Sequence, residues 1–171
     1  MRPTTWQRMD VLARRLTPFG LTLVMVFIAI LPLHVPGFAR VAPLLPLLAV
    51  YHWGIFRPEL LPVYAVFFIG LLQDVLTGAP VGINAVVLLG VYAVVLYQQK
   101  FFAGKSFAVV WLGFTLVSAG AAVLSWCLFS AYYATLINPG ALFFQYLLTV
   151  GLYPFFGWLF LRWQQAFLKY D

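Results

Sequence analysis

Long apolar runs, separated by short clusters of polar, glycine and proline positions, dominate the pattern along this chain. Runs free of charge predict membrane-spanning helices near 19–35, 41–56, 60–76, 82–97, 106–137 and 141–161. The fourth run is uninterrupted. The second is short and carries Pro43 and Pro46, so it is expected to start late, bend or lie partly at an interface. The fifth is longer than a bilayer needs, so it is expected to tilt strongly or to emerge around Tyr132 and Tyr133. No charge lies between Lys105 and Arg162, and Asn138, Pro139 and Gly140 are the turn signal that divides those residues between two spans.

Composition turns this set of helices into a class. Apolar residues make up 64% of the 171 positions and charged residues 8%, against about 45–50% and about 25% in soluble domains. With 19% aromatic residues and a mean hydropathy of +0.99, a soluble domain of this size could not cover its own apolar surface. At roughly 20 residues per span, the chain accommodates six spans and little else. The expected fold is therefore an all-α integral membrane protein with six transmembrane helices in a single domain over residues 1–171. A lone cysteine, Cys127, forms no internal disulfide, and no Cys/His spacing suits a metal or haem. No catalytic, cofactor-binding or metal-binding residue is assigned.

Charge sets the orientation. With six spans, Arg2, Arg8, Arg14, Arg15, Arg57, Lys100, Lys105, Arg162 and Lys169 fall on one side, and Arg40 alone on the other. Both termini, including the 162–171 tail, are therefore expected in the cytoplasm. Trp53, Trp158, Trp163 and Tyr170 on the inner side, and Tyr132 and Tyr133 on the outer, suit either interfacial anchoring or packing between helices. In the leader, 1–17, Trp6, Met9, Leu12 and Leu16 recur three or four apart while Arg8, Arg14 and Arg15 point elsewhere. This fits a short amphipathic helix on the inner leaflet, or a basic leader that only fixes topology. No small-residue cleavage pattern follows, so the first run is expected to remain as a span.

Of the four acidic residues, Asp10, Glu59 and Asp171 belong to expected cytoplasmic segments. Asp74 differs: it lies about 14 residues into the third run, roughly 21 Å from its inner end at about 1.5 Å per residue. A carboxylate at membrane depth must face protein or water. Gln73, Thr77 and Asn84 are its polar neighbours in sequence, and His34 and Arg40 the cationic groups expected at its level. The segment around it places Gly70, Asp74, Gly78 and Gly82 at intervals of four, with Pro80 inside the turn and Asn84 just beyond. Gly70 shares a helix face with Asp74 and permits close helix approach, while Gly78, Pro80 and Gly82 suit a tight turn. Asp74 is expected to cap amides at the start of the next helix; a ligand or proton site is the alternative. His34 and His52 fall near opposite ends of their spans. Ser118, Ser125 and Ser130 have no base in reach and suit helix packing. Gly151, Pro154 and Gly157 mark an expected kink in the last span.

The basic start, the six runs, the Gly70–Asp74–Gly78–Gly82 spacing, the late Pro154 and the tail with Arg162, Gln164 and Gln165 together resemble the MreD family of bacterial rod-shape-determining membrane proteins. The tail is shorter and less charged than that pattern suggests. The resemblance implies a non-enzymatic inner-membrane scaffold in the cell-elongation machinery. It would contact MreC and act beside the actin-like MreB, the glycosyltransferase RodA and its class B transpeptidase, in cell shape and lateral peptidoglycan synthesis. It also implies a bundle similar to the S components of energy-coupling-factor vitamin transporters. A vitamin-binding S component is thus the alternative function; it commonly carries small residues four apart on its first span, where this chain has Ala29 alone.

Overall fold

The computed structural model describes residues 5–31, 36 and 43–167, and among these every regular element is helical. Six α-helices follow in order: α1 (Thr5–Ile30), α2 (Leu45–Phe56), α3 (Val63–Thr77), α4 (Ile83–Phe102), α5 (Phe107–Tyr133) and α6 (Gly140–Phe167), with a 3-10 turn at Pro58–Leu60. By length and composition α1, α4, α5 and α6 are long and apolar enough to cross a membrane, while α2 and α3 are shorter apolar helices.

The helices differ from the apolar runs at their ends. α1 begins at Thr5 and runs unbroken through the basic leader, so the separate amphipathic helix and the span expected from residue 19 are one element. Pro18 offers no amide to the preceding turn, yet the helix continues. The exposed faces of Trp6, Met9, Leu12 and Leu16 still form an apolar stripe, and Asp10 pairs with Arg14 one turn on. Similarly, α6 passes the expected end at 161 and carries Arg162, Gln164 and Gln165 in helical conformation, because Arg and Gln are good helix formers and a charge does not end a helix. α4 extends to Phe102, five residues past the run. α5 stops at Tyr133, where Ala134 turns into the left-handed region at φ 50°, so the apolar residues up to 137 are loop. Arg2, His34, Arg40, Lys169, Tyr170 and Asp171 lie outside the described residues, as do positions 32–35 at the end of the first run and 41–42 at the start of the second.

The core sits around α2. Every residue from Leu45 to Ile55 is buried, which an all-round apolar helix requires. At about 1.5 Å per residue its twelve residues reach only about 18 Å, short of the roughly 30 Å hydrocarbon thickness, and it packs against α1, α4 and α6 instead. Pro46 lies in its first turn, where the missing amide costs nothing, and the Leu44 amide just ahead donates to Thr149 Oγ1 of α6 at 3.0 Å. Trp53 is fully buried against Phe160; the interfacial reading does not hold for it, because α2 lies inside the bundle. Trp158, Tyr132 and Tyr133 are exposed, and Trp163 is at the exposed limit.

Candidate functional site: the Asp74 hairpin

The α3–α4 hairpin joins all six residues singled out in its sequence. Where α3 and α4 come closest, Gly70 faces Ala85: a methyl at Gly70 would stand 2.4 Å from Ala85 Cα and 2.8 Å from its nitrogen. These are backbone atoms that cannot move aside, so glycine is required for space. One turn on, Asp74 is completely buried. α3 ends at Gly78, in the left-handed region at φ 67°, and the Gly78 and Ala79 amides both donate to the Asp74 carbonyl. Pro80 accepts from the Ile83 amide at 3.3 Å, and Gly82, at φ 105°, precedes α4. Neither Gly78 nor Gly82 has an atom near enough to exclude a side chain; they are needed for conformation, not space.

Asp74 closes the turn. The Gly82 amide donates to its Oδ2 at 2.8 Å and the Asn84 amide to its Oδ1 at 3.0 Å. Gly82 has no side chain with which to cap α4, so a carboxylate from the preceding helix supplies the cap, eight residues back. The first amides of a helix lack internal acceptors and carry partial positive charge, which makes a buried carboxylate tolerable there. Among the described residues the ion pairs are Asp10 with Arg14 and Arg57 with Glu59, and Asp74 is in neither. Thr77, next to the hairpin, returns its hydroxyl to the Gln73 carbonyl.

The second set of candidate residues lies elsewhere. Pro154 sits inside α6, and the helix runs on past it. Its missing amide would have donated to the Val150 carbonyl; in its place the Trp111 indole N–H of α5 donates to that oxygen at 3.1 Å. Gly157 admits the edge of Phe107, which a methyl would meet at 3.1 Å, whereas Gly151 has nothing within 4 Å. None of these belongs to the hairpin.

Several tying residues carried no local signal. Tyr51 donates to the Val110 carbonyl at 2.8 Å, Tyr92 to the Leu61 carbonyl, and Tyr146 to the Thr115 carbonyl at 3.1 Å. Gly113 accommodates the Phe102 ring and the Tyr51 hydroxyl. His52 is buried among Trp53, Phe56 and Phe160, and neither of its ring nitrogens has a hydrogen-bond partner of standard geometry; Gln164 is the polar side chain beside it. Ser118 is buried and bonded to the Phe114 carbonyl, and Ser130 accepts from the Ile137 amide.

Long apolar helices with Leu112, Leu116, Phe144 and Phe155 turned outward, tied by an internal carboxylate cap, define a multi-pass helical membrane protein. The family model for rod shape-determining protein MreD matches residues 9–163, and the chain belongs to that family. Neither the curated proteins nor the solved structures contain a match to it.

Proposed function

We propose that this rod-shape family member is a non-enzymatic scaffold of the elongation complex in the bacterial inner membrane, contacting MreC and through it MreB, RodA and the class B transpeptidase that build lateral peptidoglycan. The observation that carries the reading is the family match over residues 9–163. The distribution of polar surface supports it. The connections from α2 through α6 are short, so there a partner has little besides helix faces and loop tips to recognise, and the outward faces of α1, α5 and α6 are apolar.

Both termini are assigned to the cytoplasm. Arg57 follows α2, Lys100 and Lys105 flank the α4–α5 connection, and Arg162 lies in the last turns of α6; these alternate connections carry the positive charge that stays inside. In this reading the Asp74 hairpin holds the bundle's outer end in shape, and Gly151, Pro154 and Gly157 let α6 bend against α5.

Depletion in the host bacterium tests the function. Rods are expected to round into spheres, and retained rod shape would overturn the reading. Reporter fusions after residue 171 and within 98–106 are expected to read cytoplasmic, and fusions near Pro80 or Asn138 periplasmic. In-cell cross-linking from loop and helix-surface positions is expected to capture MreC.

A further inference from the structure

We propose that the cavity beside the Asp74 hairpin binds a small, uncharged, ring-bearing molecule that both donates and accepts hydrogen bonds. The cavity measures about 400 Å³, within the roughly 300–1,000 Å³ of small-molecule sites. It follows α5 from Ser118 to the exposed Tyr133, and is walled by the end of α3, the start of α4 and the first half of α6.

Its polar groups are the unusual feature in so apolar a chain. Gln73 is 8% exposed and Ser125 is 6% exposed, and both line the cavity. Among the described residues neither side chain forms a hydrogen bond, and nor does the carboxamide of Asn84, another lining residue. Their polar atoms are nevertheless not sealed from the cavity, unlike those of His52 and Trp53. A carboxamide left without a partner in a membrane bundle is costly, so an occupant that satisfies these groups gains what the protein itself does not provide. Other polar liners are already engaged. Thr149 donates to the Gln145 carbonyl while accepting from the Leu44 amide, and Ser118 is bonded to the Phe114 carbonyl.

The chemistry of the occupant follows. The described lining residues offer carboxamides and hydroxyls and no Lys, Arg, His, Asp or Glu, a set that suits an uncharged occupant. Asp74 lies nearby, but each of its oxygens already holds an amide of the turn. Two carboxamides and a hydroxyl offer donors and acceptors together. Phe129, Tyr133 and Tyr146 add aromatic surface, with the Tyr146 hydroxyl turned away onto Thr115, which suits a ring. Binding here implies no transport and does not depend on the proposed role in cell shape: loss of rods on depletion and ligand binding are separate readouts.

The test is thermal melting of the full chain in lipid nanodiscs with matched probes at millimolar concentration, N-acetylglucosamine against glucosamine and nicotinamide against nicotinate, alongside native mass spectrometry of the chain extracted from its own membrane. The expected result is a bound small neutral mass, and a rise in Tm of about 2 °C or more with at least one uncharged probe and none with its charged counterpart. Ser125→Leu, which fills the cavity, and Gln73→Leu, which removes its carboxamide, are expected to abolish both signals; if one variant fails to accumulate, the other carries the comparison. Absence of both the bound mass and any stabilisation in the unaltered chain would overturn the proposal, leaving a water-filled cavity. Equal stabilisation by charged probes would overturn it too. So would a photo-cross-linker at Ala122 that captures a polypeptide, whether a partner protein or residues 32–42 of this chain.

Discussion

The two hairpins, α3–α4 and α5–α6, solve the same problem in opposite ways. In α3–α4 the backbones touch at Gly70 and Ala85, and a buried carboxylate caps the second helix. In α5–α6 no glycine meets backbone of the facing helix: Gly120 and Gly151 have nothing within 4 Å, and Gly157 meets only side-chain atoms of Phe107 and Tyr153. That pair is instead bridged by long aromatic donors reaching backbone carbonyls, Trp111 to Val150, Tyr146 to Thr115 and Trp126 to Ile137. Its turn starts with an alanine in the left-handed region, where glycine would be easier, and ends with Asn138 accepting from the Gly140 amide. Close backbone contact leaves no room between helices, whereas side-chain bridges hold two helices at a distance. The cavity accordingly lies along α5 and α6, not between α3 and α4.

Substitutions break this contrast in a definite order. The largest effect is expected for Gly70→Ala, because its methyl meets backbone that cannot yield; it is expected to cost about 3 kcal/mol and to deplete folded protein in the membrane. Next comes Asp74→Leu, which strands the Gly82 and Asn84 amides at a cost on the order of 1–3 kcal/mol. Asp74→Asn retains an acceptor for one of them and is expected to fall between Asp74→Leu and the unaltered chain in thermal melting. In the second hairpin, Trp111→Phe leaves the Val150 carbonyl without its donor and is expected to cost about 1 kcal/mol. Pro154→Ala restores a helical amide to that carbonyl, so in its background the Trp111→Phe cost is expected to shrink, and the double-mutant cycle reads this coupling directly. The smallest effect, with the opposite sign to Gly70→Ala, is expected for Gly151→Ala. With open space around it and helical backbone, the alanine gains about 0.5–1 kcal/mol of helix preference. An equal loss at Gly151 and Gly70 would erase the distinction between the hairpins.

What could be read in the sequence depended on whether the cause was local. The helices and the Asp74 turn were legible because spacing carries them: apolar runs mark helices, and glycines four apart around one carboxylate mark a close hairpin. Helix ends were not. Nothing in residues 5–18 announces that the leader and the first span join through Pro18, and Arg162 reads as an end although the helix continues to Phe167. Trp53 read equally well as an anchor, since its burial depends on α2 being enclosed by longer helices far away in sequence. The Trp111 bond to Val150 links positions 39 apart; Pro154 predicts a carbonyl in need of a donor, but not which residue supplies it. The cavity arises from all six helices together; in the sequence Gln73 reads as a polar neighbour of Asp74 and Ser125 as a packing residue, and spacing alone does not bring them to one cavity.

We propose that Asp74 serves shape through structure, by fixing the α3–α4 hairpin, and not through its charge. The cell aspect ratio of a depletion strain complemented with Asp74→Asn, plotted against the amount of folded protein in the membrane over a range of induction, tests this. Asp74→Asn cells are expected to lie on the same curve as cells carrying the unaltered protein, with rod shape restored once abundance is matched. Round cells at matched abundance would overturn it, because a folded hairpin would then not suffice for shape.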